Sequence, residues 1–172
     1  MQRRSRDHNV SRLDPANIML GWFCWEHEKN SGVACNSDGK VEKIVLYNTS
    51  LEGELSPALS GLKSLRSLML FGNRFRGNIP GDYGGIESLW KINLSSNALS
   101  GNEYTGEIPP ALFKSCAKTR FISLSHNGLS GSIPESVGNC QSLEGLDFSF
   151  NNISGSLPSQ ICDIPGMVYL LL

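Results

Sequence analysis

Ser123, His126 and Asp147 are of the residue types that build an activated nucleophile. Serine attack needs an imidazole within hydrogen-bond reach to take its proton, and a carboxylate behind that imidazole to orient it. Upstream, "CWEHEKNSGVAC" gathers Cys24, His27 and Cys35. Thiolates and imidazole bind zinc, but a structural zinc site takes four ligands, and this stretch offers neither a fourth nor a conventional spacing. The favoured chemistry for Cys24 and Cys35, beside Trp22 and Trp25, is a disulfide closing an N-terminal cap. Cys116, Cys140 and Cys162 bring the cysteines to five, so at least one lacks a partner. Asn-x-[Ser/Thr] sequons at Asn9, Asn48, Asn93 and Asn152 would accept carbohydrate in a secreted chain.

Whether any of these groups can act depends on the elements that hold them. The chain has 172 residues, 40% of them hydrophobic, enough for one domain with its own core. Fifteen Lys and Arg against sixteen Asp and Glu leave a net charge of −1, which argues against nucleic acid and against a polybasic membrane contact. No apolar run approaches the roughly 18 to 20 residues that span a bilayer. The opening "MQRRSRDHNVSRLDP" carries charges where a secretory signal has its apolar stretch. Residues 1–12 are expected to be a basic, disordered tail.

Internal repetition decides the fold. "LRSLMLFGNRFRGNIP" from Leu65, "TRFISLSHNGLSGSIP" from Thr119 and "LEGLDFSFNNISGSLP" from Leu143 share one frame. Weaker copies start at Val41 and Leu89, and another opens at Met167. The starts 41, 65, 89, 119, 143 and 167 step by 24 except for one step of 30. This period predicts a leucine-rich-repeat solenoid of mostly β structure with short 3-10 or helical outer segments, an α/β repeat fold wound right-handed. Leu65, Leu68 and Leu70 and their counterparts form the inward column. Asn73, Asn97, Asn127 and Asn151 serve backbone groups in the bend after the strand, where Thr49 is a weaker substitute. Pro80, Pro134 and Pro158 keep the outer arc from becoming a long helix.

The frame divides the chain into a cap at 13–40 with the cysteine pair, five coils over 41–166, and the start of a truncated sixth at 167–172. Within coil 89–118, "NALSGNEYTGEIPP" holds two near-copies of one bend, and only the second runs on into Ile-Pro. Loss of about 18 residues from two repeats explains this. Asn97 to Gly101 are predicted to keep the regular bend, with "NEYTG" bulging before Ile108 and Pro109 rejoin the stack. Cys116 and Cys140 each precede a repeat start by three residues and are expected as buried structural thiols.

The "SGVAC" element, the 24-residue repeats and halves such as "LSGSIP" resemble the extracellular region of plant leucine-rich-repeat receptor-like kinases. The resemblance covers roughly residues 32–172. It implies a recognition module that binds a protein, peptide or small-molecule ligand, and a co-receptor ectodomain, on the inner strand face. It implies the outer side of the plasma membrane for the parent receptor, no cofactor and no metal, and no catalysis in a chain that lacks the family's kinase motifs, signal peptide and membrane span. The contact candidates are Tyr47, Phe71, Trp90, Arg120, Phe121, His126, Asp147 and Phe150. Glycans on Asn48 and Asn93 would shield part of that face, and Asn152 is a further acceptor. A secreted repeat protein resembling plant polygalacturonase inhibitors is the alternative, against which stands the mixed charge of Glu42, Glu144 and Asp147 beside Lys43, Arg66, Lys91 and Arg120. A non-functional truncated fragment is the other.

Overall fold

The computed structural model describes residues 32–100 and 106–172. Cys24, His27, the two flanking tryptophans, Asn9 and the 1–12 tail lie outside the described residues, as does most of the expected bulge at "NEYTG".

Twelve short strands follow one another: β1 (Val33–Cys35), β2 (Val41–Val45), β3 (Glu52–Glu54), β4 (Ser67–Met69), β5 (Arg74–Gly77), β6 (Lys91–Asn93), β7 (Ala98–Leu99), β8 (Phe121–Ser123), β9 (Ser130–Gly131), β10 (Gly145–Asp147), β11 (Asn152–Ile153) and β12 (Tyr169–Leu171). Seven of them form the inner sheet in the order β1-β2-β4-β6-β8-β10-β12. All its neighbours are parallel except β1, which turns back against β2. Along each parallel strand the alternation turns one residue into the stack, and the column Ile44, Leu68, Ile92, Ile122 and Leu146 is at most 3% exposed. Removing such side chains from water contributes about 1.5 to 3 kcal/mol each. Thr119 takes a place that leucine holds in neighbouring coils, and its hydroxyl is satisfied by the Leu89 carbonyl at 2.9 Å.

The chain must then bend away from the sheet, which leaves peptide groups that no ladder reaches. One left-handed residue per coil makes the bend: Asn48, Gly72, Ser96, His126 and Phe150 have φ between 52° and 69°. One asparagine per coil satisfies it. Asn127 Nδ2 donates to the carbonyls of Leu124 and Ser125 in its own coil and of Leu94 in the coil before, while its Oδ1 accepts the Leu99 amide at 3.0 Å. Asn73, Asn97 and Asn151 repeat the pattern. Thr49 reaches the Leu46 carbonyl and Asn73 Oδ1.

Outer arcs close through 3-10 turns at Pro57–Gly61, Gly81–Gly85, Pro110–Phe113, Glu135–Asn139 and Ser159–Asp163. Four of these are preceded by proline with φ between −67° and −61°. The ring fixes φ in an extended approach and so starts each turn at one place. Tyr83 is fully buried in the second turn, and its hydroxyl donates to the Ser56 carbonyl at 3.0 Å.

The irregular coil keeps its inner strand in place, since β6 pairs with β8 as Lys91↔Phe121, Ile92↔Ile122 and Asn93↔Ser123. The surplus falls at two places along the chain. In a regular coil the Asn152 amide reaches the Leu129 carbonyl and Ser154 that of Gly131, a separation of 23 each (152 less 129, 154 less 131). Across the joint, Gly128 to Leu99 is 29, but Ser130 to Gly106 is only 24. The interval from Leu99 to Gly106 is therefore five residues longer than its counterpart from Leu129 to Gly131, and the backbone oxygen of Ser100 lies 2.0 Å from where a Cβ on Gly106 would stand. One further residue is absorbed before Thr119. There the turn cap Lys114 is helical, with ψ −41°, whereas the caps of the other four turns have ψ from 62° to 106°.

Cys116 and Cys140 are disulfide-bonded, with Cα atoms 4.8 Å apart. This corrects the reading of both as free thiols. They occupy the same place in consecutive coils, and the coil-to-coil spacing of about 4.8 Å lies within disulfide reach. Cys35 is disulfide-bonded, and Cys24, the partner expected for it, lies outside the described residues. Cys162 is free and exposed.

Candidate functional site

On the inner sheet the side chains that do not enter the core stand in columns, each 24 or 30 residues from the next. The first two coils carry an apolar end. Tyr47 and Phe71 stack face to face with ring centroids 4.8 Å apart, beside the half-exposed Val45 and Met69. Tyr47 is exposed and Phe71 half-buried.

One edge of the sheet holds the charged residues in pairs. Arg66 bonds Glu42 at 3.3 Å, and Arg120 bonds Glu144. Trp90 stands between the two arginine positions, exposed, with its ring edge to face against the half-buried Phe121. Lys91 Nζ lies 5.6 Å from the centre of the Phe121 ring, within cation–π range.

The middle of the sheet is a comb of hydroxyls and amides. Asn93 Oδ1 accepts from the Ser95 amide at 3.0 Å and hydroxyl at 2.7 Å. Asp147 Oδ1 holds Ser149 in the same way, at 3.1 and 2.6 Å, and its Oδ2 accepts from the Ser123 hydroxyl at 3.2 Å. Partial burial works against the charged carboxylate, but hydrogen bonds from Ser149, Ser125 and Ser123 outweigh it and hold Asp147 below the usual carboxylate range.

His126 and Phe150 occupy the left-handed bends of consecutive coils and stack at 4.1 Å, inclined by 13°. Phe150 is 72% exposed. Left-handed backbone costs a non-glycine residue roughly 1 kcal/mol or more, and glycine holds the same bend at Gly72. An exposed phenylalanine kept there is a reason to look for use of its ring.

The nucleophile constellation does not assemble. Ser123 meets Asp147 directly, His126 is engaged with Phe150, and among the described residues no hydrogen bond joins the imidazole to either. Nor do the described residues hold a cluster of three or more His, Cys, Asp or Glu able to bind a metal. Of the sequons, Asn48 is exposed at its bend and Asn152 is exposed on β11 of the outer side, whereas Asn93 is half-buried with its carbonyl oxygen taken by Ser95.

Two features escape a list of exposed aromatic and charged positions. Tyr169 on β12 lays its ring over Gly145, so close that a Cβ there would sit 2.2 Å from the ring. The same frame that picks Phe121 picks Tyr169, the same column position two coils on, with Gly145 between them. The serine comb carries no hydrophobic or charge signal and shows only when the frame is read position by position.

Comparison with known proteins places the chain among repeat ectodomains. A model of the Leucine Rich Repeat family matches residues 118–140 and 142–164. MDIS1-interacting receptor like kinase 1 of Arabidopsis thaliana is 36% identical over 141 residues, covering 77% of this chain and 12% of that protein. The crystal structure of the BIR2 ectodomain from Arabidopsis thaliana superposes with a TM-score of 0.70 at 30% identity, over 88% of this chain and 80% of that one. The Arabidopsis receptor kinase HAESA, in complex with the peptide hormone IDA and the co-receptor SERK1, gives a TM-score of 0.66 at 32% identity over 72% of this chain and 20% of that one. The chain thus spans about an eighth of the length of the first of these relatives. No helix among the described residues is long and apolar enough to cross a membrane.

Proposed function

The chain belongs to the leucine-rich-repeat ectodomains of plant receptor kinases, and from that premise we propose that it recognises an extracellular peptide or protein partner on its inner sheet, without catalysis of its own. The observation that carries this reading is the set of aromatic pairs, Tyr47 with Phe71, Trp90 with Phe121 and His126 with Phe150, held on one rigid face. Aromatic side chains bring large contact area at low entropic cost and are the usual anchors of interfaces. Each is fixed by a strand or bend whose backbone groups are bonded to a neighbouring coil, so little order remains to be gained on association.

HAESA binds a peptide hormone and a co-receptor together, and the same division of labour suits this chain. The inner sheet would hold a peptide, while the exposed edge with Trp90 and Arg120 would meet a second ectodomain. The setting is the outer face of the plasma membrane, where Asn48 and Asn152 would carry glycans. Asn93, the last residue of β6, would put a glycan on the binding face itself.

A random-peptide display library passed over the immobilised chain tests the proposal. Selected peptides should bind the Phe71→Ala/Phe150→Ala double variant at least tenfold more weakly and Arg76→Ala, on β5 outside the inner sheet, unchanged. Equal losses in both variants, or a loss in Arg76→Ala alone, would move the site off the inner sheet.

A further inference from the structure

The inner sheet is chemically polarised along its stacking direction. Its first two coils present Val45, Tyr47, Met69 and Phe71, and its fifth presents Asp147. Of the carboxylates on these strands, Glu42 and Glu144 are each bonded to an arginine. Asp147 has no cation in ion-pair range among the described residues. Its hydrogen bonds all come from serine hydroxyls and an amide, neutral donors that orient the carboxylate and keep it ionised without cancelling its charge.

Asp147 pairs across the sheet with Ser123 and Leu171, and aromatic rings stand over the start of its strand and at the bend after it. Gly145, two residues earlier on the same face of β10, lies under the ring of Tyr169, and Phe150 follows three residues later with its ring largely exposed. Aromatic faces attract cations, and Lys91 over Phe121 is an instance within the same sheet. An ionised carboxylate beside exposed rings favours an ammonium or guanidinium group over an anion, which the charge repels, and over a neutral sugar, which leaves the charge unused.

We propose, resting on the recognition function above, that Asp147 seats a lysine or arginine side chain of an extended peptide whose bulky apolar side chain packs on the Tyr47–Phe71 pair. The spacing follows from the stack. From β2 and β4 to β10 is three to four strand steps of about 4.8 Å, or about 14 to 19 Å, which an extended chain covers in about four to six residues at about 3.4 Å each. The residues between cross the comb of Asn93, Ser95 and Ser123, a polar surface that accommodates small or hydroxylated side chains.

Asp147→Asn tests this cleanly, because the chain already contains the result. Asn93 stands in the equivalent place and holds Ser95 as Asp147 holds Ser149, so the substitution removes charge and keeps the acceptor. Peptides selected on the full chain from a random display library should be enriched in Lys or Arg about five positions from an aromatic or large aliphatic residue. Synthetic copies should lose at least tenfold in affinity on replacing the basic residue with norleucine, and by a similar factor against Asp147→Asn, with little further loss when both changes are combined. Peptides that bind through Phe71 but carry no basic residue, or that bind Asp147→Asn as well as the parent, overturn the cation seat and leave the recognition function standing. A cooperatively melting chain that enriches no peptide overturns both.

Discussion

Cys116 and Cys140 lie 24 residues apart and share one covalent bond between the outer arc that contains the joint and the arc after it. The bond fastens the irregular coil to its regular neighbour at the level where the surplus residue before Thr119 is absorbed. Closing a loop of this length in the unfolded chain stabilises the fold by about 3 kcal/mol. The Cys116→Ser/Cys140→Ser variant should melt about 6 to 12 °C lower by calorimetry. A shift under about 2 °C would show that the arcs hold without it.

Asn127 serves groups on both sides of the joint. Asn127→Ala strands the Leu99 amide and leaves the Leu94 carbonyl with Asn97 Nδ2 as its remaining side-chain donor. At about 1 to 3 kcal/mol for buried groups left unpaired, the midpoint of urea unfolding should fall clearly with little change in slope. A variant at the exposed Ser96 bend, Ser96→Gly, should not lower it.

Gly84 and Gly85 are neighbours in one 3-10 turn, yet only one is replaceable. A Cβ on Gly84 would lie 1.8 Å from the Ala111 backbone oxygen of the next coil, whereas a Cβ on Gly85 meets nothing within 4 Å. Gly84→Ala should destabilise by about 1 to 3 kcal/mol through overpacking. Gly85→Ala should be neutral or stabilise by up to about 1 kcal/mol. Thermal melts of the two single variants read the contrast directly.

Asp147 has a folded-state pKa below its unfolded value. Its contribution is therefore present above the unfolded carboxylate pKa and is lost as pH falls through the lower, folded one. The parent should lose more stability than Asp147→Asn between neutral pH and the acid range, and the two should differ little in shape above about pH 5. Parallel curves throughout would mean that the serine hydroxyls do not favour the charged form.

The column of apolar positions and the asparagine bends were legible because each repeats a physical need at fixed spacing: Leu68 faces Ile44 and Ile92, and Asn97 does for one coil what Asn73 does for the previous one. The Cys116–Cys140 bond was half legible. Equal placement before two repeat starts puts the cysteines one coil apart, but pairing them also requires an oxidising compartment, which spacing does not reveal. The split of six surplus residues into five and one was not legible, since Ile108 and Pro109 fix where the arc resumes and say nothing of how Lys114 turns. At the candidate site, Phe121 and Phe150 stood out by type. The serines around Asp147 did not, because a hydroxyl on a strand has no pattern until the carboxylate it serves is placed beside it.

The joint also bears on how such a chain can change over generations. The step from Leu89 to Thr119 is 30 residues instead of 24, yet β6 and β8 meet in the register of an undisturbed pair. An insertion or deletion at that locus is silent on the inner sheet. The arcs are free to lengthen, shorten or fuse under mutation, while the face that meets a partner is inherited intact.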